Sequence, residues 1–71
     1  MHEELLSIAS RVFGLPRESV TPALARSETA AWDSFNHLLF VSEVERAFEV
    51  HFTIADIESI RTLGDVDKLL S

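Results

Sequence analysis

Between His2 and Phe13 the apolar residues Leu5, Ile8, Ala9 and Val12 recur at helical spacing, while Glu3, Glu4, Ser7, Ser10 and Arg11 fall elsewhere. This alternation describes one amphipathic helix. Gly14 can leave that helix through a left-handed conformation and Pro16 cannot extend it, so the helix is expected to stop there. From Leu15 to Asp33 the period vanishes and the chain is expected to be irregular, with Thr21 and Pro22 as N-cap and first residue of one isolated turn. So long a connection is unusual in a small domain. It lets the following helix run roughly parallel to the first instead of reversing in a tight hairpin. The strongest helical pattern is Ser34 to Glu49, with Asp33 or Ser34 as its cap. Thr53 with Asp56 and Thr62 with Asp65 have capping-box spacing, with Asp in place of Glu or Gln. They predict two short helices, one containing Ile57 and Ile60 and one containing Val66, Leu69 and Leu70, with Ile54 and Leu63 packing at their entries. The expected fold is all-α, a small three-to-four-helix bundle in a single domain of residues 1–71, with a long loop between the first two main helices.

At about 100° per residue, His37, Phe40, Val41, Val44, Ala47 and Phe48 share one side of the central helix, which is the expected core face. Phe35, Leu38 and Leu39 then point away from it, on the same half as Ser34, and Ser42, Glu45, Arg46 and Glu49 continue along that surface. Three large apolar side chains within one and a half turns, bordered by acids, suit a surface that docks a partner. The long loop folding over them is the plainer alternative.

Charge narrows the partners. Six Lys and Arg against twelve Asp and Glu give a formal net charge of −6, which repels nucleic acid and anionic membranes and favours proteins with basic surfaces. The beginning, Met1-His2-Glu3-Glu4, lacks the positive charge and apolar run of a signal peptide, and no apolar stretch approaches the roughly 20 residues that span a bilayer. A cytoplasmic monomer is the expectation. Seventy-one residues without cysteine offer no disulfide, no thiolate nucleophile and little core from which to carve a deep active site.

Ser34 lies where the irregular stretch becomes the central helix, so its hydroxyl is expected to be accessible and the amides around it to favour a phosphate. A serine there also suffices as an N-cap with no further purpose, and the same plain reading applies to Asp33. His37 lies three residues after Ser34 but is turned toward the core, as a partly buried, hydrogen-bonded histidine. No third group or oxyanion site accompanies the pair, which argues against nucleophilic catalysis. His2 and His51 are too separated in pattern to form a metal site with His37.

Several blocks, taken in order, resemble acyl carrier proteins. Val20-Thr21-Pro22 looks like that family's segment after its first helix, and Asp33-Ser34-Phe35 is similar to its Asp-Ser-Leu signature. His37-Leu38 through Val44-Glu45, followed by Phe48-Glu49-Val50-His51-Phe52, resembles the second helix and the turn after it. Ile60 to Val66 resembles the Thr-Val-Gly-Asp stretch that opens the last helix. The resemblance implies that Ser34 receives 4′-phosphopantetheine from coenzyme A through a phosphopantetheinyl transferase, and that the terminal thiol holds acyl groups as thioesters for biosynthetic enzymes. Asp33 would border the surface that the transferase and its metal-bound coenzyme A approach. Phe35, Leu38, Leu39 and Ser42, with Glu45 as the acidic contact, would meet acyl- or aminoacyl-loading and acyl-transferring enzymes with basic surfaces. Such a protein is a carrier and not an enzyme. Trp32, Phe35 and Leu39 depart from the commoner residues at their positions and point to a specialised stand-alone carrier. An aminoacyl or aryl carrier serving an adenylating enzyme, a D-alanyl carrier, and an unmodified helical adaptor remain open.

Overall fold

Helices form where the apolar period and the caps agree. The computed structural model describes residues 2–71, with α1 at Glu3–Phe13, α2 at Ser34–Phe48, α3 at Ile54–Ser59 and α4 at Leu63–Leu70. Met1, part of the leader reading, lies outside the described residues. Among the described residues there are four α-helices and no strand, which is the all-α bundle expected.

Gly14 closes α1 at φ +64°, its amide donating to the Ser10 carbonyl. Both capping boxes form: Thr53 and Asp56 exchange side-chain-to-backbone bonds at the start of α3, and Thr62 and Asp65 do so at the start of α4. Two orphan donors at each helix start are satisfied this way. α2 ends one residue earlier than its sequence pattern, with Glu49 in a left-handed conformation at φ 55°.

The core draws on every part of the chain. Leu5, Ile8, Ala9 and Phe13 of α1 meet Phe40, Val41 and Val44 of α2, and Ile60, Leu63 and Val66 close the far side. Val20 and Trp32, from the connection between α1 and α2, are buried with them. Fully burying side chains of this kind stabilises by roughly 1.5–3 kcal/mol each.

That connection is more ordered than its sequence suggests. It holds two short 3₁₀ turns, Arg17–Ser19 and Arg26–Glu28, and between them a turn closed by the Leu24 amide on the Thr21 carbonyl at 3.0 Å. Pro22 therefore sits inside a β-turn, without the helical turn expected behind a Thr21 cap. Its next residues run antiparallel to the start of α4 as an isolated bridge between Ala25 and Thr62. Arg26 donates to the Arg61 carbonyl at 2.8 Å, Leu63 to Leu24 at 3.2 Å and Gly64 to Pro22 at 3.0 Å. The first amides of α4, which have no partner inside the helix, are thus satisfied by the connection. Gly64 permits that approach, because a Cβ there would lie 3.3 Å from the Pro22 oxygen.

Three expectations fail at the margins of the core. Ile54 is 75% exposed, because the Thr53 cap places it on the outer side of a helix of six residues. Ala47 is exposed in the last turn of α2, whereas Phe48 beside it is partly buried and packs against the core as expected. Phe48 also packs edge-on against the His2 ring, with centroids 5.2 Å apart. Ile60 is fully buried but caps α3 from outside the helix. The burial order gives a direct expectation for chemical denaturation. Phe40→Ala should destabilise by roughly 3–5 kcal/mol, a large share of what so small a domain has, and Phe48→Ala by less than half as much, as read from urea melts.

Candidate functional site

Ser34 is the first residue of α2 and is exposed. Asp33 is the N-cap: its Oδ1 accepts from the Asn36 amide at 2.8 Å, and its carbonyl accepts from the His37 amide at 2.8 Å. The amides of Ser34 and Phe35 precede the first bonds within the helix, so they remain at its positive end. The Ser34 hydroxyl makes no hydrogen bond to another described residue. A phosphate ester on that oxygen would meet free amides and a favourable helix dipole, with no acidic residue in the first turn of α2.

The flanks of this serine are held firmly. Trp32 is buried, stacked on Phe13 with ring centroids 4.7 Å apart and edge-on to Phe40 at 5.8 Å. Its indole Nε1 donates to His37 Nδ1 at 2.8 Å, and its backbone amide donates to the Thr29 carbonyl at 2.9 Å. Asn36 Nδ2 donates to the Ala31 carbonyl at 2.8 Å. Residues on both sides of Asp33-Ser34-Phe35 are therefore pinned, and the three project from a fixed corner.

His37 is buried, as its place on the core face requires, and spans three segments. It accepts from Trp32 at Nδ1, and its Nε2 lies 2.9 Å from the Ile57 carbonyl. An indole nitrogen only donates and a carbonyl only accepts, so the ring is neutral with its proton on Nε2. Burial holds its pKa below the ordinary histidine value; the bond to Ile57 acts the other way, and the positive charge of Arg26 adds to the lowering. Both ring nitrogens are engaged, which leaves neither to take a proton from Ser34.

Beside the serine, Phe35 is 74% exposed, Leu38 61% and Leu39 39%. The long loop does not cover Phe35 or Leu38. Ser42 is exposed one turn further on, and from Ser34 to Ser42 α2 carries no charged side chain. The acids begin beyond that point and are partly engaged. Glu43 pairs with Arg11 of α1 at 3.3 Å and with Arg46 at 4.0 Å. Glu45, the acidic contact expected on this surface, is half-buried, and its Oε2 accepts from the Phe52 amide at 2.8 Å. The chain turning away after Glu49 needs an acceptor there, and Glu45 supplies it.

Trp32 and Asn36 are the two residues of this corner that sequence reasoning leaves without a role. A signal existed for the first: a tryptophan in a loop, five residues before a core-facing histidine, has an N–H that must find an acceptor if the ring is buried. Among the described residues, no three His, Cys, Asp or Glu side chains converge as a metal site, and no helix is long and apolar enough to cross a membrane.

No protein-family model matches the chain. A protein of Syntrophobacter fumaroxidans that bears the name acyl carrier protein is 30% identical to it over 71 residues, which is all of this chain and 88% of that protein.

The cap and the serine should separate in a stability measurement. Asp33→Ala is expected to cost about 1 kcal/mol by losing the bond to Asn36. Ser34→Ala, which removes an exposed oxygen with no bond, should stay within roughly 0.5 kcal/mol of the parent in the same melt.

Proposed function

The chain belongs to the acyl carrier protein family, and from that membership we propose that Ser34 is the residue that carries 4′-phosphopantetheine as a phosphodiester. The observation that supports this reading most directly is an exposed, unbonded hydroxyl at the start of α2, set on a corner whose flanks are held by the Trp32–His37 and Asn36–Ala31 hydrogen bonds. The arm supplies a terminal thiol for holding acyl groups as thioesters, a group that a chain without cysteine does not provide itself. The protein's own work is presentation. Asp33 fixes the helix start, and the free amides of Ser34 and Phe35 would be available to the phosphate. The exposed hydroxyl leaves room for a phosphopantetheinyl transferase to reach it.

Phe35 and Leu38, with Leu39 and Ser42 behind them, are the surface on which we place the transferase and the acyl-loading and acyl-transferring enzymes. Apolar contact at the uncharged start of α2 would give docking its affinity, and the net charge of −6 would attract partners with basic rims from a distance. Glu45 belongs to the end of α2 in this reading, with one carboxylate oxygen committed to Phe52. The uncharged face around Leu39 favours a specialised carrier over a general one, acting as a cytoplasmic monomer.

Incubation with coenzyme A and a broad-specificity transferase should add the mass of one phosphopantetheine, and Ser34→Ala should abolish the gain. Failure to gain mass with several transferases would overturn the assignment. Leu38→Asp should leave folding unchanged, since the side chain is exposed, while lowering kcat/KM for modification by about tenfold, equivalent to roughly 1.4 kcal/mol of lost contact. If Leu38→Asp destroys partner binding while Ser34→Ala leaves function whole, the protein is an unmodified adaptor. Loading assays with amino acids against acyl and malonyl coenzyme A separate an aminoacyl carrier from an acyl carrier.

A further inference from the structure

We infer that Trp32, His37 and Ile57 form a proton-operated latch, in which a proton taken up at His37 Nδ1 releases the Trp32 indole, and with it the corner that presents Ser34, while the bond to α3 holds. The geometry sets the asymmetry. Nδ1 accepts from an N–H that cannot become an acceptor, and Nε2 faces a carbonyl that cannot become a donor. The one lone pair left for a proton is the one that Trp32 already uses. A solvent proton bonded there places N–H against N–H, so that hydrogen bond is lost. The bond from Nε2 to Ile57 gains charge assistance and survives. Opening is therefore directed toward the segment before Ser34 and away from α3.

The surroundings provide no counter-charge that would let the imidazolium stay in place. Arg26, from the second 3₁₀ turn, bears on the ring with a positive charge and opposes protonation. On the Trp32 side, the Asp33 carboxylate is exposed and turned to the Asn36 amide. On α3, Asp56 folds back onto the Thr53 amide, and Glu58 is exposed. Within α2 the ring is flanked by Phe40 and Val41, which are buried and apolar. The closed form keeps His37 neutral, whereas a form with Trp32 swung out and the ring solvated loses the lowering that burial imposes. The open form binds the extra proton, so its population rises as pH falls, by up to about tenfold per pH unit. Trp32 lies two residues before Ser34, so opening also loosens the Asp33 cap's approach to α2. The consequence for a carrier rests on the Ser34 assignment; the latch itself does not.

Trp32 is the single tryptophan of the chain, so its emission reports the latch directly. The full chain would be titrated from about pH 7.5 to about pH 5, a range that brackets an ordinary histidine. Tryptophan emission, far-UV circular dichroism, and NMR signals of the His37 ring and the backbone amides would be followed together. Expected is a red shift of emission and movement of the Trp32, Asp33 and Ser34 amides with the same midpoint as the His37 ring. Helical signal and the amides from Ile57 to Ile60 should hold steady. Trp32→Phe keeps a ring against Phe13 but removes the donor, and should raise the pKa of His37. His37→Gln retains an acceptor and a donor without a titrating group, and should make the emission flat with pH. Constant Trp32 signals through the His37 titration, or an unchanged emission response in His37→Gln, would overturn the latch. If either variant does not fold, the other together with the parent titration decides. None of these readouts uses a transferase, so a working latch in a protein that never gains the arm would refute the Ser34 assignment alone.

Discussion

The buried ring of Trp32, stacked on Phe13, edge-on to Phe40 and bonded through its N–H to His37, is the contact on which the rest of this structure depends. A chain of 71 residues without disulfides has too little core to leave a long connection idle on its surface. The connection between α1 and α2 therefore serves as a wall of the core, with Val20 and Trp32 as its inward side chains. Burying an indole also obliges its N–H to find an acceptor. His37 meets that need and passes the bonding on to Ile57, so one hydrogen-bonded chain joins the connection, α2 and α3. Every buried side-chain nitrogen and oxygen among the described residues has a partner, which is the condition for such a polar chain to stabilise a core rather than weaken it.

Local rules made much of this fold legible. Helical periodicity located α1 and α2, Gly14 marked a stop, the Asp33-Ser34 pair a start of which Asp33 is the cap, and the two Thr-Asp pairs identified α3 and α4 even though each is short. These features depend on residues a few positions apart, which is the range that caps and amphipathic patterns reach. The bridge from Pro22, Leu24 and Arg26 to the stretch from Arg61 to Gly64 was not legible, because backbone carbonyls and amides pair there without any side-chain signature. Gly64 was the one trace of it, a small residue in the first turn of a helix. The error at Ala47 has a plain cause: a wheel assigns a face to each residue but not where along the helix the neighbouring element ends.

At the candidate site, exposure was legible and the support beneath it was not. Phe35 and Leu38 project as the wheel placed them, away from Phe40 and Val44, whereas Ser34 shares the side of Val41 and is exposed because it begins the helix. The role of Trp32 crosses the boundary between loop and helix, where neither the helical nor the extended period applies, so no pattern rule relates it to His37. Glu45 shows the reverse case. Its position on the wheel is outward, yet the turn beyond Glu49 captures one of its oxygens.

Charge is distributed along α2 with a consequence for recognition. The protein carries a net charge of −6, yet the nine residues from Ser34 to Ser42 contribute none of it. In the docking proposed above, long-range attraction and short-range contact would fall to different parts of the surface. Acidic residues elsewhere would steer a basic partner inward, with a reach that screening limits to about 10 Å at ordinary ionic strength. Contact at Phe35 and Leu38 would then depend on apolar burial. Ser34 stands at the edge of that apolar surface and contributes no bond to the fold, so the molecule can expose the serine fully while the residues on either side hold its position.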